Sequence, residues 1–459
     1  MRPSLRTLLI TFISALIFPL SSQAQIYLEN GRQVCCGDSL LNGNYLALGI
    51  NPAHLGRVLS VKRGSGFLQV GGSFYSHGLD LGQVLDLSFG DERIDPALKQ
   101  EIIDRYPPED DFEYDGKLDL NWLSFSYAHP KYGGIAIQIQ DQFQSTATIP
   151  NEFLGIALLG PAAPVFQNGS SQQALESGNG TRFSYAHTRR IRVGYGVKLL
   201  QVQEIKLYAG ATYSRLFGIG HLNADIEDQR FSAISSFSEL YRLDYQNLNL
   251  QNPDDQRQLI SNAGAGHAFS LGLSLDITQK ANLSLSLVDV GSLSFTKNVA
   301  RHEASVQSII DSIGSGIVES YDAGATSVRL FDLTDSEYGG EIDVILNTHA
   351  RVGGTYRINK SLFANAEAII RMRSSNLRVI DTEQATVIGA LTWNPIPRVF
   401  YLTAGTFYNP QFGWRIPVGV SVGLGPRARL SVSTGDLATF LGAKDPMASL
   451  SISFLGQNY

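Results

Sequence analysis

Apolar residues recur at every second position through much of this chain, and the positions between them carry Gly, Ser, Gln or charge in place of bulky core residues. In Ile191–Leu199 the residues Ile191, Val193, Tyr195, Val197 and Leu199 share one strand face, while Arg192, Gly194, Gly196 and Lys198 share the other. Phe269–Ile277, Leu283–Leu287, Val418–Leu424 and Leu450–Phe454 repeat the pattern. Ile135, Ile137, Ile139 and Phe143 alternate with Gln138, Gln140, Gln142 and Gln144, and burying those amides against a dry second sheet would be costly. One apolar and one wet face is the pattern of a transmembrane β-barrel. A soluble β-sandwich is the competing fold.

Residues 1–24 read as a cleaved signal peptide: Arg2 and Arg6 precede an apolar run from Leu8 to Leu20, and Ser22-Gln23-Ala24 supplies small residues for cleavage. The competing reading, a retained anchor helix, needs about 18 apolar residues, more than this run has. Removing two of 36 basic residues and none of 42 acidic ones leaves a mature charge of 34 − 42 = −8, and nothing suggests nucleic-acid binding. Adjacent Cys35 and Cys36 are open to a strained disulfide, to free thiols or to pairing with another chain. They do not suggest a metal site, and no cofactor is expected.

The connections alternate in length. Short turns at 130–133, 278–281, 358–360, 394–397 and 425–426 belong to the periplasm, and longer polar excursions near 90–116, 149–180, 221–265, 297–343 and 373–383 to the cell exterior. The expected architecture is an all-β, antiparallel transmembrane barrel of about 14 strands, in a range of about 12 to 16, over residues 63–459. The strand phase shifts at Trp122-Leu123, and two or three strands fit within 181–213. Trp122, Trp393, Trp414, Tyr127, Tyr132, Tyr401 and Tyr408 lie near strand ends, either as interfacial girdles or from strand propensity alone. Val306, Ile309, Ile310, Ile313 and Ile317 have helical spacing and predict an amphipathic helix over 303–320; Ile234, Phe237, Leu240 and Tyr241 suggest another. Ten acidic residues against four basic ones between Asp91 and Lys117 read as solvated charge, since they lack the spacing of a calcium loop.

Ahead of the alternating segments stands Asn51-Pro52-Ala53, within Leu46–Gly56. Pro52 restricts Asn51 to extended conformations and has no N–H of its own, so the triplet makes a rigid turn whose polar groups need partners. This motif in a segment before a barrel resembles the long-chain fatty-acid transporter (FadL-type) superfamily of outer-membrane barrels. The stretch Asn282–Phe295 is similar to a branch of it found in Bacteroidota, where an Ala-Gln cleavage junction such as Ala24-Gln25 is also common. The resemblance spans essentially the whole mature chain and implies an N-terminal hatch, here residues 25–62, held by Asn51, Pro52 and Ala53. A turn that merely leads the chain into its first strand is the alternative.

The resemblance further implies uptake or lateral passage of a hydrophobic small molecule, with outer-membrane lipid as the surroundings. A sibling branch implies the alternative of a structural or shuttle role in a type IX-like secretion complex, with an exported protein as partner. Arg192, Lys198, Glu367 and Arg371 are lumen-facing candidates, equally compatible with a packed lumen and with a carboxylate pocket. Gly419-Val-Ser421-Val-Gly423 matches a hydrolase pattern but lies in an alternating strand, and His129, His187 and His349 stand singly, so catalysis is not expected.

Overall fold

The computed structural model describes residues 45–57, 63–77, 103, 111–159, 163, 175–243, 251–306, 337–373, 385–396, 399–409, 413–423, 428–441 and 447–458. In chain order the strands are β1 (Arg63–Ser76), β2 (Asp111–His129), β3 (Gly133–Pro150), β4 (Arg182–Val202), β5 (Ile205–Glu227), β6 (Arg230–Phe237), β7 (Gly264–Asp276), β8 (Ala281–Phe295), β9 (Val299–Ser305) and β10 (Glu337–Tyr338). They continue as β11 (Ile342–Ile345), β12 (Thr348–Arg357), β13 (Leu362–Arg373), β14 (Ala385–Ile396), β15 (Phe400–Asn409), β16 (Gly413–Arg415), β17 (Val418–Gly423), β18 (Ala428–Thr434) and β19 (Met447–Asn458). Two short helices, α1 (Asn151–Leu159) and α2 (Pro253–Leu259), lie in the connections.

All the strands join one antiparallel sheet, and the sheet closes. The ring runs β1, β2, β3, β4, β5, β7, β8, β12, β13, β14, β15, β17, β18, β19 and returns to β1 through pairs from Arg63↔Asn458 to Tyr75↔Met447. Toward the long connections β5 leaves β7 and pairs with β6, which pairs with β9, while β8 exchanges β12 for β11. A closed ladder gives each wall backbone group a partner without water, which is what crossing hydrocarbon demands.

The outward face is apolar in the band nearest the short turns. Val193 and Tyr195 on β4 are 39% and 50% exposed, and Leu271, Leu273, Leu283 and Leu285 on β7 and β8 are likewise exposed. On β5 this band runs from Ile205 to Tyr213, roughly 20–25 Å along the axis for strands tilted by about 40°. The protein is therefore a membrane-spanning barrel of the outer-membrane type, and both faces of its wall are explained by lipid outside and a polar lumen inside. No described helix is long and apolar enough to cross a membrane.

Several expectations need correction. β4 and β5 contain 21 and 23 residues, far more than the 9–11 a bilayer requires, so the wall rises past the lipid. Much of what reads as polar excursion at 111–116, 221–237 and 299–305 is this strand extension, in which Leu222, Ala224, Ile226, Ala233 and Val299 are buried. Residues 303–305 belong to β9 and not to a helix, because that segment pairs with β6; Val306 is buried, and Ile309, Ile310, Ile313 and Ile317 lie outside the described residues. Ile234 and Phe237 are in β6, and only Leu240 and Tyr241 enter a short 3-10 turn, Glu239–Arg242. That turn packs on the outer wall, where Leu240 and Leu243 meet Ile219 and the hydroxyls of Tyr241 and Tyr185 lie 2.6 Å apart.

Between 181 and 213 there are two strands, joined by a turn at Gln203-Glu204 with Gln203 at φ 52°. The phase shift at Trp122 is a bulge: Asn121 pairs Gln140 while Leu123 pairs Ile139. Trp122, Trp393 and Trp414 are exposed, as are Tyr127, Tyr132 and Tyr408, whereas Tyr401 is buried because it falls in phase with inward Thr403. Residues 1–44, with the expected signal segment, Cys35 and Cys36, lie outside the described residues, as does the acidic stretch up to residue 110 apart from residue 103.

Substituting Arg for outward Val193 or Leu273 should lower unfolding stability by about 2 to 4 kcal/mol in lipid vesicles, since a midplane charge must be carried into hydrocarbon. Urea titration followed by Trp fluorescence measures this. Stability unchanged in both variants would place that face away from lipid.

Candidate functional site

Tyr45–Arg57 lies inside the barrel, and nearly every side chain in it is buried. Two 3-10 turns, Tyr45–Ala47 and Pro52–Gly56, fold the segment into a compact knot. Asn51 joins them in extended conformation, φ −151° and ψ 101°, as the residue before a proline prefers. Its Oδ1 accepts from Ala53 N at 3.0 Å and caps the second turn, with Pro52 at the first helical position where no N–H is missed.

A row of glycines receives this knot. Gly134 on β3 pairs with Gly196 on β4, Gly196 with Gly210 on β5, Gly210 with Gly272 on β7, and Gly272 with Ser286 on β8. Each glycine of the row has the segment against it where a side chain would stand. A Cβ on Gly272 would lie 2.0 Å from Asn51 Oδ1, one on Gly210 2.3 Å from the Pro52 carbonyl, and one on Gly134 2.2 Å from the Leu55 carbonyl. The row is therefore a shelf at one barrel level, and its lack of side chains lets two backbones approach.

Three tethers fix the knot to the shelf. In the middle, Asn51 Nδ2 donates to the carbonyls of Leu273 (2.9 Å) and Leu285 (3.3 Å), while Ser286 Oγ donates to the Ile50 carbonyl (2.6 Å). At one end the Tyr45 hydroxyl accepts from Gln69 Nε2 at 2.6 Å, and Gln69 Oε1 accepts from Asn121 Nδ2 at 2.6 Å. At the other end Arg57 Nη2 meets Asp276 Oδ1 at 2.6 Å. Leu46, Leu48, Ile50 and Leu55 bury an apolar surface against the wall around Ala136.

Beyond the knot, toward the long connections, the lumen holds a polar layer. Arg192 donates to Gln138 (3.1 Å) and Gln140 (2.8 Å), and Arg190 pairs with Asp289 at 2.7 Å. Asp289 sits at φ 57° in a wall bulge, where Phe269 pairs Val290 but Leu271 pairs Leu287, and this turns its carboxylate toward Arg190. Farther still the inner wall becomes apolar: Leu216, Ala268, Leu293, Phe295, Ile342 and Val344 form one buried cluster. Gly218 and Gly264 leave room for the Phe295 ring.

The four charged residues expected to face the lumen do not converge. Arg192 is deep in the polar layer, and Lys198 is exposed near the short turns, donating to Gln201 at 2.7 Å. Glu367 is held by Arg351 through two bonds of 2.7 and 2.8 Å, and Arg371 stands opposite His349 on β12. Ser421 is buried inside β17, which is paired on both sides with β15 and β18, so the hydrolase-like pattern forms no nucleophile elbow. Arg57, Arg190, Asp289 and the glycine row escaped the sequence reading. The row did leave a signal, at least one glycine in the inward phase of each of four strands, with Gly194 and Gly196 both on β4.

A closed barrel wall with an apolar outer band and a segment seated in its lumen is common to many outer-membrane barrels, and a family match decides which this is. The chain belongs to the family of unknown function DUF5723. The family model matches residues 65–429, nearly all of the described wall. No curated protein matches this DUF5723 chain. Among solved structures it is similar to the Ralstonia pickettii toluene transporter TbuX (12% identity, TM-score 0.46, covering 90% of this chain and 94% of that one). A Pseudomonas aeruginosa FadL homologue is also similar (10% identity, TM-score 0.43, covering 95% and 97%). At such identities and scores the likeness says nothing of what this DUF5723 chain carries.

Gly210→Ala and Gly272→Ala should each lift the knot from its shelf, because the new methyl occupies the space of Pro52 or Asn51. Hydrogen exchange across 45–57 should accelerate while heat-modifiable gel migration of the barrel persists. Asn51→Ala should act in the same direction more mildly, since each lost hydrogen bond is worth only about 0.5–1.5 kcal/mol net. Exchange unaltered in the Gly210 variant would show that the shelf does not hold the segment.

Proposed function

We propose that this barrel passes hydrophobic small molecules across the outer membrane, and that the buried segment 45–57 belongs to a hatch that must yield for passage. The observation that carries the reading is the inward apolar cluster of Leu216, Ala268, Leu293, Phe295, Ile342 and Val344 near the long connections. Inward positions of a water-filled barrel are polar, so apolar side chains lining this one favour an apolar solute. The cluster is packed, so a solute enters by parting side chains and not by filling an open pore.

The polar layer then sets a boundary. Arg190 is bonded to Asp289, and Arg192 to Gln138 and Gln140, and an apolar molecule gains nothing by displacing either set. Within this reading Asn51, Pro52 and Ala53 hold the hatch, while Arg192 and the Arg351–Glu367 pair keep the lumen closed at rest. Lys198 and Arg371 would line the same lumen at other levels, without a shared pocket.

Cells producing the protein should accumulate an apolar fluorescent probe faster than cells lacking it, and Leu293→Asp should return uptake to background at equal surface expression. Deleting residues 25–57 should raise planar-bilayer conductance, because the strand ladder closes without them. Uptake indifferent to Leu293→Asp, together with unchanged conductance after the deletion, would describe a sealed barrel and favour the structural or shuttle role.

A further inference from the structure

At the short-turn mouth, periplasmic in barrels of this type, strand ends, a turn and the end of the knot line an open cavity of about 330 Å³, among them Arg57, Lys206, Asp276, Lys280, Asn282 and Arg357. The wall register brings them together: Lys206 pairs with Asp276, Asp276 with Asn282, and Asn282 with Thr355, two residues before Arg357. Four cations thus meet two carboxylates, Asp276 and Glu204, for a local excess of 4 − 2 = +2. Both carboxylates are already engaged, Asp276 by Arg57 and by Asn282 at 3.0 Å, and Glu204 by Gln279 at 3.3 Å.

The cations are less well served. Among the described residues Lys206, Lys280 and Arg357 have no carboxylate partner, and Arg357 lies over the Phe363 ring at 5.3 Å. Arg57 is 7% exposed and spends only Nη2 on Asp276, leaving buried Nε and Nη1 without acceptors. Buried guanidinium donors left unpaired are expensive, and a native site normally resolves them with a water or an ion.

We propose that this cavity binds a compact, doubly charged oxyanion of the phosphate type. Cations on β5, on β12, in the turn before β8 and at the end of the knot approach such a group from several sides, as its tetrahedral oxygens require, and an arginine offers it paired donors. The volume is at the small end of ligand sites, enough for a phosphate with a short substituent. The inference does not rest on the passage of hydrophobic molecules, and the assay below measures no uptake.

The test is calorimetric titration of the purified full-length barrel with inorganic phosphate at constant ionic strength, beside Lys280→Gln/Arg357→Gln and a control, Lys131→Gln, in a different short turn. Saturable binding that weakens at least tenfold in the double variant and holds in the control assigns the site to free phosphate. A lipid source gives a different outcome: no response to inorganic phosphate, but thermal stabilisation in nanodiscs containing phosphatidic acid over phosphatidylcholine alone, lost in the double variant. The proposal is overturned if neither probe binds, or if binding survives in the double variant.

Discussion

Closure of the hydrogen-bond ladder is the constraint on which the rest of this molecule depends. Hydrocarbon offers a peptide group no alternative partner, so β1 must find both β2 and β19, and a sheet of this length becomes a ring. Once closed, the wall has an inside, and the period of two sends alternate residues there. Every inward position must then be wet, paired or packed. Different levels of the barrel answer differently: backbone against glycine near the short turns, bonded charge and amide in the middle, and packed apolar side chains toward the exterior.

The glycine row and Asn51-Pro52-Ala53 are two halves of one device. Glycine weakens a strand, by roughly 0.5–1 kcal/mol in measured elements, because it brings extra chain entropy and no side chain to pack. Four at one level would leave a hollow in the inner wall; the segment fills it with its own backbone, whose Asn51 amide reaches wall carbonyls on β7 and β8. Pro52 keeps Asn51 extended, so the amide is presented with little further loss of freedom. Arg57 then binds the end of the segment to β7 through Asp276 and lines the cavity at that mouth, which joins the seat of the segment to the charge of the cavity.

Bulges do as much as regular strands to arrange the interior. Asp289 adopts a left-handed backbone conformation within β8, uncommon for a residue with a side chain, and its carboxylate meets Arg190 across the lumen wall. The bulge at Trp122 keeps Asn121 inward, on the chain of hydrogen bonds to Tyr45, while Trp122 donates to Asp141 at 2.9 Å on the other face. In each case one extra residue re-aims a functional side chain without breaking closure.

Barrel class was legible in the sequence because lipid and lumen impose opposite demands on neighbouring residues, and that contrast survives in Ile191–Leu199 or Leu283–Leu287 read alone. The turn at Asn51-Pro52 was legible for a local reason, the steric effect of a proline ring on the residue before it. Strand ends were not, since Leu222, Ala224 and Ile226 on β5 keep the period of two past the lipid, and nothing in the alternation itself marks where hydrocarbon ends and the strand continues. The glycine shelf, the Arg190–Asp289 pair and the cavity around Arg57 were decided only by the tertiary structure. Their partners stand 99 residues apart for Arg190 and Asp289 and 219 for Arg57 and Asp276, and no local pattern records the register of a closed ring that makes them neighbours.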